Sequence, residues 1–283
     1  MKFKNIIASL LFASFCFTGL SQFGGNLSKE DMSTKLANTK TLVALTGNDK
    51  FDENLKKGME EFWDLTEFEF VSKVDAKKQS SEKGISIIMP LKITITDNTS
   101  TQTYPLLAFF LGGESKLGDY GYSKLLAYCP IDNFGREKQV TGASFRAKHF
   151  PQFIQQYIKL RVSGAIPEST SNTRYAAEKI YHERVSKTKG KIILIDKALL
   201  VKVNTGHLEK YITTEYKIVN KNELEEAINE GRENTCYLMP VFTRHKYVFV
   251  VDCKSGEILY NTYNIYGMTL KKDDIKNLGT TIK

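Results

Sequence analysis

The chain contains two similar segments, and this repetition constrains its fold more than any other feature of the sequence. Residues 63–73 read WDLTEFEFVSK, and residues 211–221 read YITTEYKIVNK. Each copy is followed by an apolar run with a Met-Pro pair, which begins at Met89 and at Met239. A spacing of about 150 residues is far longer than the repeats of solenoid proteins. We therefore predict one protein built from two copies of a module.

Apolar spacing within each copy predicts the same series of elements. The first copy should contain a strand, a helix capped by Asp52, a strand, a short helix or loop, three antiparallel strands and a helix, at residues 41–46, 52–63, 67–72, 74–82, 85–97, 104–112, 123–132 and 150–160. The second copy repeats this order at residues 191–196, 206–211, 215–220, 223–230, 236–243, 246–253, 257–264 and 270–277. The expected fold class is α+β: two tandem copies of a β-α-β-α-β-β-β-α module, with mixed sheets backed by helices.

The first 21 residues are typical of a secretory signal peptide. Two early lysines precede the apolar run Ile6–Leu20, and Gly19 and Ser21 supply small residues, so we expect cleavage before Gln22. No later apolar stretch reaches the ~20 residues that a transmembrane helix needs. We therefore expect an exported protein, periplasmic or extracellular, with no transmembrane segment in its mature chain.

A loop rich in small and polar residues, SGAIPESTSNTR, separates the two predicted modules. The predicted division is a signal peptide, a first module, a linker with a helix, and a second module, at residues 1–21, 22–165, 166–190 and 191–283. The chain is long enough for each module to have a modest core.

The formal net charge is +8, yet the lysines are scattered along the chain rather than clustered. Nucleic-acid-binding surfaces gather basic residues on one face and add stacking aromatic residues. Export also keeps a protein away from nucleic acid. We therefore exclude nucleic acid as a partner, and we expect another protein or a component of the cell envelope instead.

Three cysteines follow the predicted signal peptide, and an odd number argues against a complete disulfide framework. If Arg244-His245 is a two-residue turn, Cys236 lies opposite Cys253 in a non-hydrogen-bonded pair, whose close approach suits a bridge. A longer turn would change this pairing. Two interpretations stay open: a disulfide between Cys236 and Cys253, or buried free thiols. Cys129 is expected to be a core residue of a strand.

The sequence contains no catalytic, cofactor-binding or metal-binding motif that we can recognise. Four histidines lack the spacing of metal ligands: His149, His182, His207 and His245. We therefore assign no catalytic residue, no cofactor and no metal ligand. An enzyme would need acids that folding brings together, for instance among Glu60, Glu61, Asp64 and Glu67. Two carboxylates about 5–9 Å apart are the arrangement that glycoside hydrolysis uses.

Four stretches carry a resemblance to known proteins: TLVALT, the helix ending in Trp63, TEFEFV and the hairpin VVDCKSGEILY. Together they resemble exported proteins of unknown function from Bacteroidota-type Gram-negative bacteria. The order of strands and helices is also faintly similar to that of the amino-terminal domain of TolB-like periplasmic proteins. Both resemblances imply a location beyond the inner membrane, and neither assigns a binding residue.

Export, repetition and the lack of a catalytic motif favour a non-enzymatic binding or interaction protein. Two alternatives stay open. One is a hydrolase of envelope or extracellular polymer that uses a carboxylate pair not visible in the sequence. The other is a carrier that holds a small apolar ligand between sheet and helices.

Overall fold

The computed structural model describes residues 28–96, 101–113, 125–131, 144–167, 170–242, 246–264 and 269–282. The elements of the first half are α1 (Lys29–Leu36), β1 (Lys40–Leu45), α2 (Asp49–Phe62), β2 (Phe68–Ser72), α3 (Lys73–Gln79), β3 (Ile85–Thr96), β4 (Thr101–Leu111), β5 (Leu125–Pro130) and α4 (Phe150–Val162). The signal peptide and the predicted turn at residues 244–245 lie outside the described residues.

The remaining elements form the second half of the chain. They are α5 (Thr170–Glu183), β6 (Ile192–Asp196), α6 (Thr205–Tyr211), β7 (Tyr216–Val219), α7 (Lys221–Asn229), β8 (Thr235–Phe242), β9 (Lys246–Asp252), β10 (Ile258–Asn264) and α8 (Lys272–Thr281). Short 3₁₀ turns precede α4, follow α5 and follow β6, at Ser144–Lys148, Arg184–Thr188 and Lys197–Leu199. No described helix is long and apolar enough to cross a membrane.

The two halves form two five-stranded mixed sheets with the same topology. Sheet A has the order β2-β1-β3-β4-β5, and sheet B has the order β7-β6-β8-β9-β10. In each sheet the strand that comes first in the chain, β1 or β6, pairs in parallel with the next two strands of the chain. The other two pairings of each sheet are antiparallel. The predicted α+β class with mixed sheets backed by helices is thus confirmed. Descent of both halves from one ancestral unit stays a prediction.

Equivalent backbone hydrogen bonds occur in both sheets. The amide of Lys40 donates to the carbonyl of Gly84, and the amide of Ile192 donates to that of Asn234. Gly84 and Asn234 both have positive φ, of 79° and 54°. Glycine and asparagine are the residues that adopt this conformation most readily. The backbone therefore turns in the same way before β3 in the first half and before β8 in the second half.

The Met-Pro pairs occupy equivalent places in β3 and β8. Pro90 lies opposite Leu107, and Pro240 lies opposite Val248. The carbonyls of Gly84 and Asn234 point toward β1 and β6. Because backbone groups alternate sides along a strand, the nitrogens of Pro90 and Pro240 point to that same side, away from the antiparallel neighbours β4 and β9. They lie beyond the last pairs with β1 and β6. A missing N–H therefore breaks no ladder at either site, which explains why proline is tolerated inside these sheets.

The end of each repeated segment is a helix cap. The side chain of Ser72 accepts a hydrogen bond from the first turn of α3, and that of Asn220 does so for α7. Serine and asparagine are among the best N-cap residues. Lys73 and Lys221 begin the two helices. The predicted cap at Asp52 is wrong: Asn48 caps α2, because the Asp52 carboxylate instead binds the loop before it, at Thr46 and Gly47.

One apolar core joins the halves. It contains residues of sheet A, of α2 and α4, and of one face of sheet B, among them Val43, Phe109, Leu55, Phe153, Tyr237 and Phe249. The opposite face of sheet B packs on α6 and α8, and the opposite face of sheet A packs on α3. The order of layers is therefore α3, sheet A, α2 with α4 and α7, sheet B, and α6 with α8.

Helix α4 lies at the centre of this stack. Its residues are buried almost all round, whereas the equivalent helix α8 exposes Lys272, Lys276 and Thr280. A helix covered on two sides needs apolar or hydrogen-bonded residues on both, while a surface helix needs them on one. The composition of α4 thus reflects its contact with both halves.

Polar contacts fix how the second half docks. The buried ammonium of Lys148 donates to the carbonyls of Ile228 and Asn229 at the end of α7, at 3.5 and 3.3 Å. Gln156 donates from Nε2 to the carbonyl of Gly256 at 3.1 Å. A cation at the carboxyl end of a helix satisfies free carbonyls and opposes the helix dipole. These bonds make the docking of α4 on sheet B directional.

His149 is buried beside these contacts. Its Nδ1 lies 3.0 Å from the hydroxyl of Tyr237, and the two rings stack with centroids 5.8 Å apart. Burial and the nearby Lys148 charge lower the pKa of His149 to about 3. The imidazole is therefore neutral in the folded protein near neutral pH.

We expect His149 to make the protein less stable in mild acid. Because its folded pKa lies below the unfolded value near 6.5, the unfolded chain binds the extra proton first, so stability is lost as pH falls below 6.5. Between pH ~7.5 and pH ~5 the loss should be about 2 kcal/mol. Urea unfolding at both pH values measures this loss of stability. The control is His149→Gln, which lacks the titrating imidazole. Equal pH dependence in both proteins would contradict the assignment.

Candidate functional site

Both sheets end in an equivalent strand, β2 in sheet A and β7 in sheet B. Within the described part of the chain, β2 pairs with β1 alone and β7 with β6 alone. The amides of Thr41 and Ile193 donate to the carbonyls of Glu67 and Glu215. Because backbone groups of successive residues point to alternate sides of a strand, the residue after each glutamate points its N–H and C=O away from β1 or β6. The backbones of Phe68 and Phe70, and of Tyr216 and Ile218, thus point outward from the sheets.

The outer strand of sheet A combines aromatic and charged side chains. Phe68 and Phe70 are half-buried, with ring centroids 5.5 Å apart, and they pack at the rim of the shared core. The ammonium of Lys56 lies 5.8 Å from the centre of the Phe70 ring. On the other face, Glu69 pairs with Lys40 of β1 at 2.6 Å. The strand therefore offers backbone donors and acceptors beside an apolar stripe.

The outer strand of sheet B repeats this pattern with the opposite charge. Tyr216 and Ile218 are half-buried against α6 and α8. Lys217 points to the other face and pairs with Glu223 of α7 at 3.4 Å. The register aligns Lys217 with Glu69 of the first half. The two open edges thus share a shape and differ in charge.

The other two edges of the sheets are covered. Every residue of β5 is buried. Helix α5, which lies in the segment predicted as linker and helix, packs against β10. There His182 donates from Nε2 to the carbonyl of Asn261 at 3.0 Å, and its ring stacks on that of Tyr260. Natural proteins protect sheet edges in this way, whereas β2 and β7 are edge strands with no second neighbouring strand among the described residues.

A surface groove of about 720 Å³ opens beside the start of β7. Its walls are the 3₁₀ turn after α5, the residues before β6 and β7, and the end of α8. Five hydroxyl side chains line it, namely Ser186, Thr188, Thr213, Thr214 and Thr281. The groove is half open to solvent and its lining mixes polar and apolar side chains, so it is not the enclosed apolar cavity that a carrier of a small apolar ligand would use.

Two glutamates and two lysines also line this groove. Neither Glu183 nor Glu215 forms an ion pair with a described residue, and both are exposed. Lys191 is bound to Asp252 at 2.7 Å, while Lys189 is exposed. Glu183 comes before β6 in the chain and Glu215 comes after it. No local sequence pattern could therefore have revealed that both line one groove.

The acids that the sequence analysis named for a hydrolase lie elsewhere, at the end of α2 and before β2. Glu61 pairs with the buried Lys148 at 2.9 Å, and Asp64 pairs with Lys159 at 2.6 Å. The first pair joins the end of α2 to the 3₁₀ turn before α4, and the second joins the residues after α2 to α4 itself. Glu60 and Glu67 are exposed on the same part of the surface.

The described histidines serve separate structural contacts. His149 lies in the shared core and His182 on the edge of β10, while His207 lies near the start of α6; His245 lies outside the described residues. Among the residues that the structure describes, no group of three or more His, Cys, Asp or Glu could hold a metal ion.

The predicted pairing of Cys236 with Cys253 is wrong by one residue. Cys236 lies opposite Asp252, and the amide of Cys253 donates to the carbonyl of Thr235. A slip of one residue sends a side chain to the other face of a sheet. Cys236 consequently packs toward α6 and α8, while Cys253 packs in the shared core. Both are buried free thiols, and so is Cys129.

We expect thiol titration to confirm that these cysteines are unbridged. Burial raises the pKa of the Cys253 thiol to about 11 and raises that of Cys129 and Cys236 as well, so all three should react slowly in the folded protein. In denaturant they should react fully with Ellman's reagent, with the same count before and after reduction. Two additional thiols after reduction would indicate a bridge.

Comparisons with known proteins do not place the chain in a family. No protein-family model matches it, and no significant match was found among curated proteins or solved structures. The resemblance to exported Bacteroidota-type proteins and to the TolB-like amino-terminal domain therefore stays a prediction.

Proposed function

We propose that the protein is a secreted or periplasmic, non-enzymatic binding protein that recognises another protein or an envelope component through its open sheet edges. The observation that carries this proposal is the equivalent edge position of β2 and β7, each of which pairs with a single strand within the described part of the chain. The other two edges are covered, which shows that the fold can protect an edge where it needs to.

Strand addition is the recognition mode that this geometry supports. An extended segment that joins a sheet edge gains main-chain hydrogen bonds, and side chains on alternate positions add specificity. Phe68 and Phe70 supply the outward backbone groups of β2 and an apolar stripe beside them. The predicted export places such a surface among envelope proteins rather than nucleic acids.

Replacing Phe70 with proline tests this mode of binding. The Phe70 amide points away from β1, so Phe70→Pro removes a donor from the open edge while leaving the ladder to β1 intact. Phe70→Ala is the matched control, because it removes the ring and keeps the donor. We expect a stoichiometric partner from the envelope fraction to bind the alanine variant about tenfold more weakly and the proline variant not at all.

Circular dichroism of both variants checks that the fold is retained. Recovery of the partner in equal amount by the original protein, Phe70→Ala and Phe70→Pro would show that β2 is not the binding edge.

A hydrolase of envelope or extracellular polymer is the second candidate, and the groove beside β7 favours it. Glu183 and Glu215 reach the groove without ion-pair partners among the described residues, and hydroxyl groups surround them. Two carboxylates in one groove can act as acid and base on a glycosidic bond when they lie about 5–9 Å apart.

The binding proposal predicts no turnover of a panel of cell-wall and polysaccharide substrates by the purified protein. Glu183→Gln and Glu215→Gln should then leave partner binding at β2 unchanged. Turnover that each of these substitutions lowers by at least a hundredfold would instead establish the hydrolase.

A further inference from the structure

We propose that β2 of one copy of this chain pairs with β7 of another, so that the protein assembles head to tail through its own open edges. This inference rests on the proposed function, because it assigns a second copy as one partner of the same edges. The two edges that meet are different surfaces of the chain. An open assembly therefore always keeps one free β2 at one end and one free β7 at the other, and it grows into a ring if the rotation closes or into an open filament if it does not.

Hydrogen-bond direction restricts how the two strands can pair. In an antiparallel pair, residues with outward backbone groups must face each other. In β2 these residues are Phe68 and Phe70, and in β7 they are Tyr216 and Ile218. The register that pairs all four sets Phe68 opposite Ile218 and Phe70 opposite Tyr216. All four side chains then lie on one face of the joined sheet.

The same register sets Glu69 opposite Lys217. Residues between two hydrogen-bonded pairs form a close pair, whose Cα atoms are about 4.5 Å apart, so the charges attract directly. Both side chains are accessible, with 43% of Glu69 and 61% of Lys217 exposed. Their present partners, Lys40 and Glu223, lie on the neighbouring elements of each copy. The joined sheet would therefore carry charges of alternating sign across the boundary.

In the matching register, pairing of an edge with its own kind is less favourable. Two copies of β2 that stack Phe68 on Phe70 set Glu69 opposite Glu69, and two copies of β7 that stack Tyr216 on Ile218 set Lys217 opposite Lys217. Like charges directly opposite destabilise a strand pair. Shifted pairings of like edges avoid this repulsion, because they set Glu69 opposite Val71 in β2 and Lys217 opposite Glu215 in β7. The pairing of β2 with β7 aligns residues 68–70 with residues 216–218 and has opposite charges at its centre.

Exchange of the two charges tests the proposal. The purified full chain should self-associate in sedimentation velocity as its concentration rises. Glu69→Lys and Lys217→Glu should each raise the dissociation constant about tenfold, because each sets like charges opposite each other. The double variant E69K/K217E should restore association. The matched controls are Glu53→Lys and Lys57→Glu, which reverse exposed charges on α2 outside the paired strands and should have no effect.

Mixing the two single variants gives the sharpest result. The Lys at position 69 of one variant meets the Glu at position 217 of the other, and the remaining edges form the original pair, so an equal mixture should assemble although each variant alone does not. Thermal unfolding should be unchanged, which separates loss of assembly from loss of folding.

Three outcomes would overturn the proposal. The original chain could stay monomeric at all concentrations, the mixture could fail to assemble, or one of the two substitutions alone could have no effect, as self-pairing of β2 or of β7 would require. Each leaves the proposed function standing if the Phe70 variants still control capture of an envelope partner.

Discussion

The docking of sheet B on α4 determines the rest of the structure. Because α4 is covered by sheet A on one side and by sheet B on the other, neither sheet has a complete core without the other half. The apolar contact supplies most of the stabilisation, as it does in most folded domains. The bonds of Lys148 and Gln156 set its direction, because a displaced sheet would leave buried polar groups without partners.

This arrangement also explains why the edges carry the proposed function. The faces of both sheets are occupied by helices or by the other half of the chain. Two of the four edges are buried or covered by α5. Within the described part of the chain, β2 and β7 are the sheet edges with a single neighbouring strand, and a groove lies beside β7. The proposed recognition therefore falls on these two short strands.

Local patterns predicted most elements of the fold. Alternating apolar residues located the strands, and the repeated Thr-Glu-aromatic segment located β2 and β7 in equivalent places. Helix α1 was missed, although Ser28 as its cap and the acidic first turn at Glu30 and Asp31 are a local signal for it. The cap of α2 was misplaced because an aspartate can bind the preceding loop as readily as it can cap a helix.

Properties that depend on distant residues could not be predicted. The register of β8 with β9 depends on the length of the turn between them. A difference of one residue in that length decides whether Cys236 faces Cys253. The groove combines Glu183 and Glu215 from separate elements. The edge positions of β2 and β7 follow from the strand order of the sheets, which no pattern within either strand records.

Differential scanning calorimetry of the purified chain tests the central claim that both halves share one core. The account predicts a single transition whose calorimetric enthalpy equals its van't Hoff enthalpy, because α4 cannot lose sheet B without exposing the apolar residues that also cover sheet A. Two separable transitions, one for each half, would contradict it.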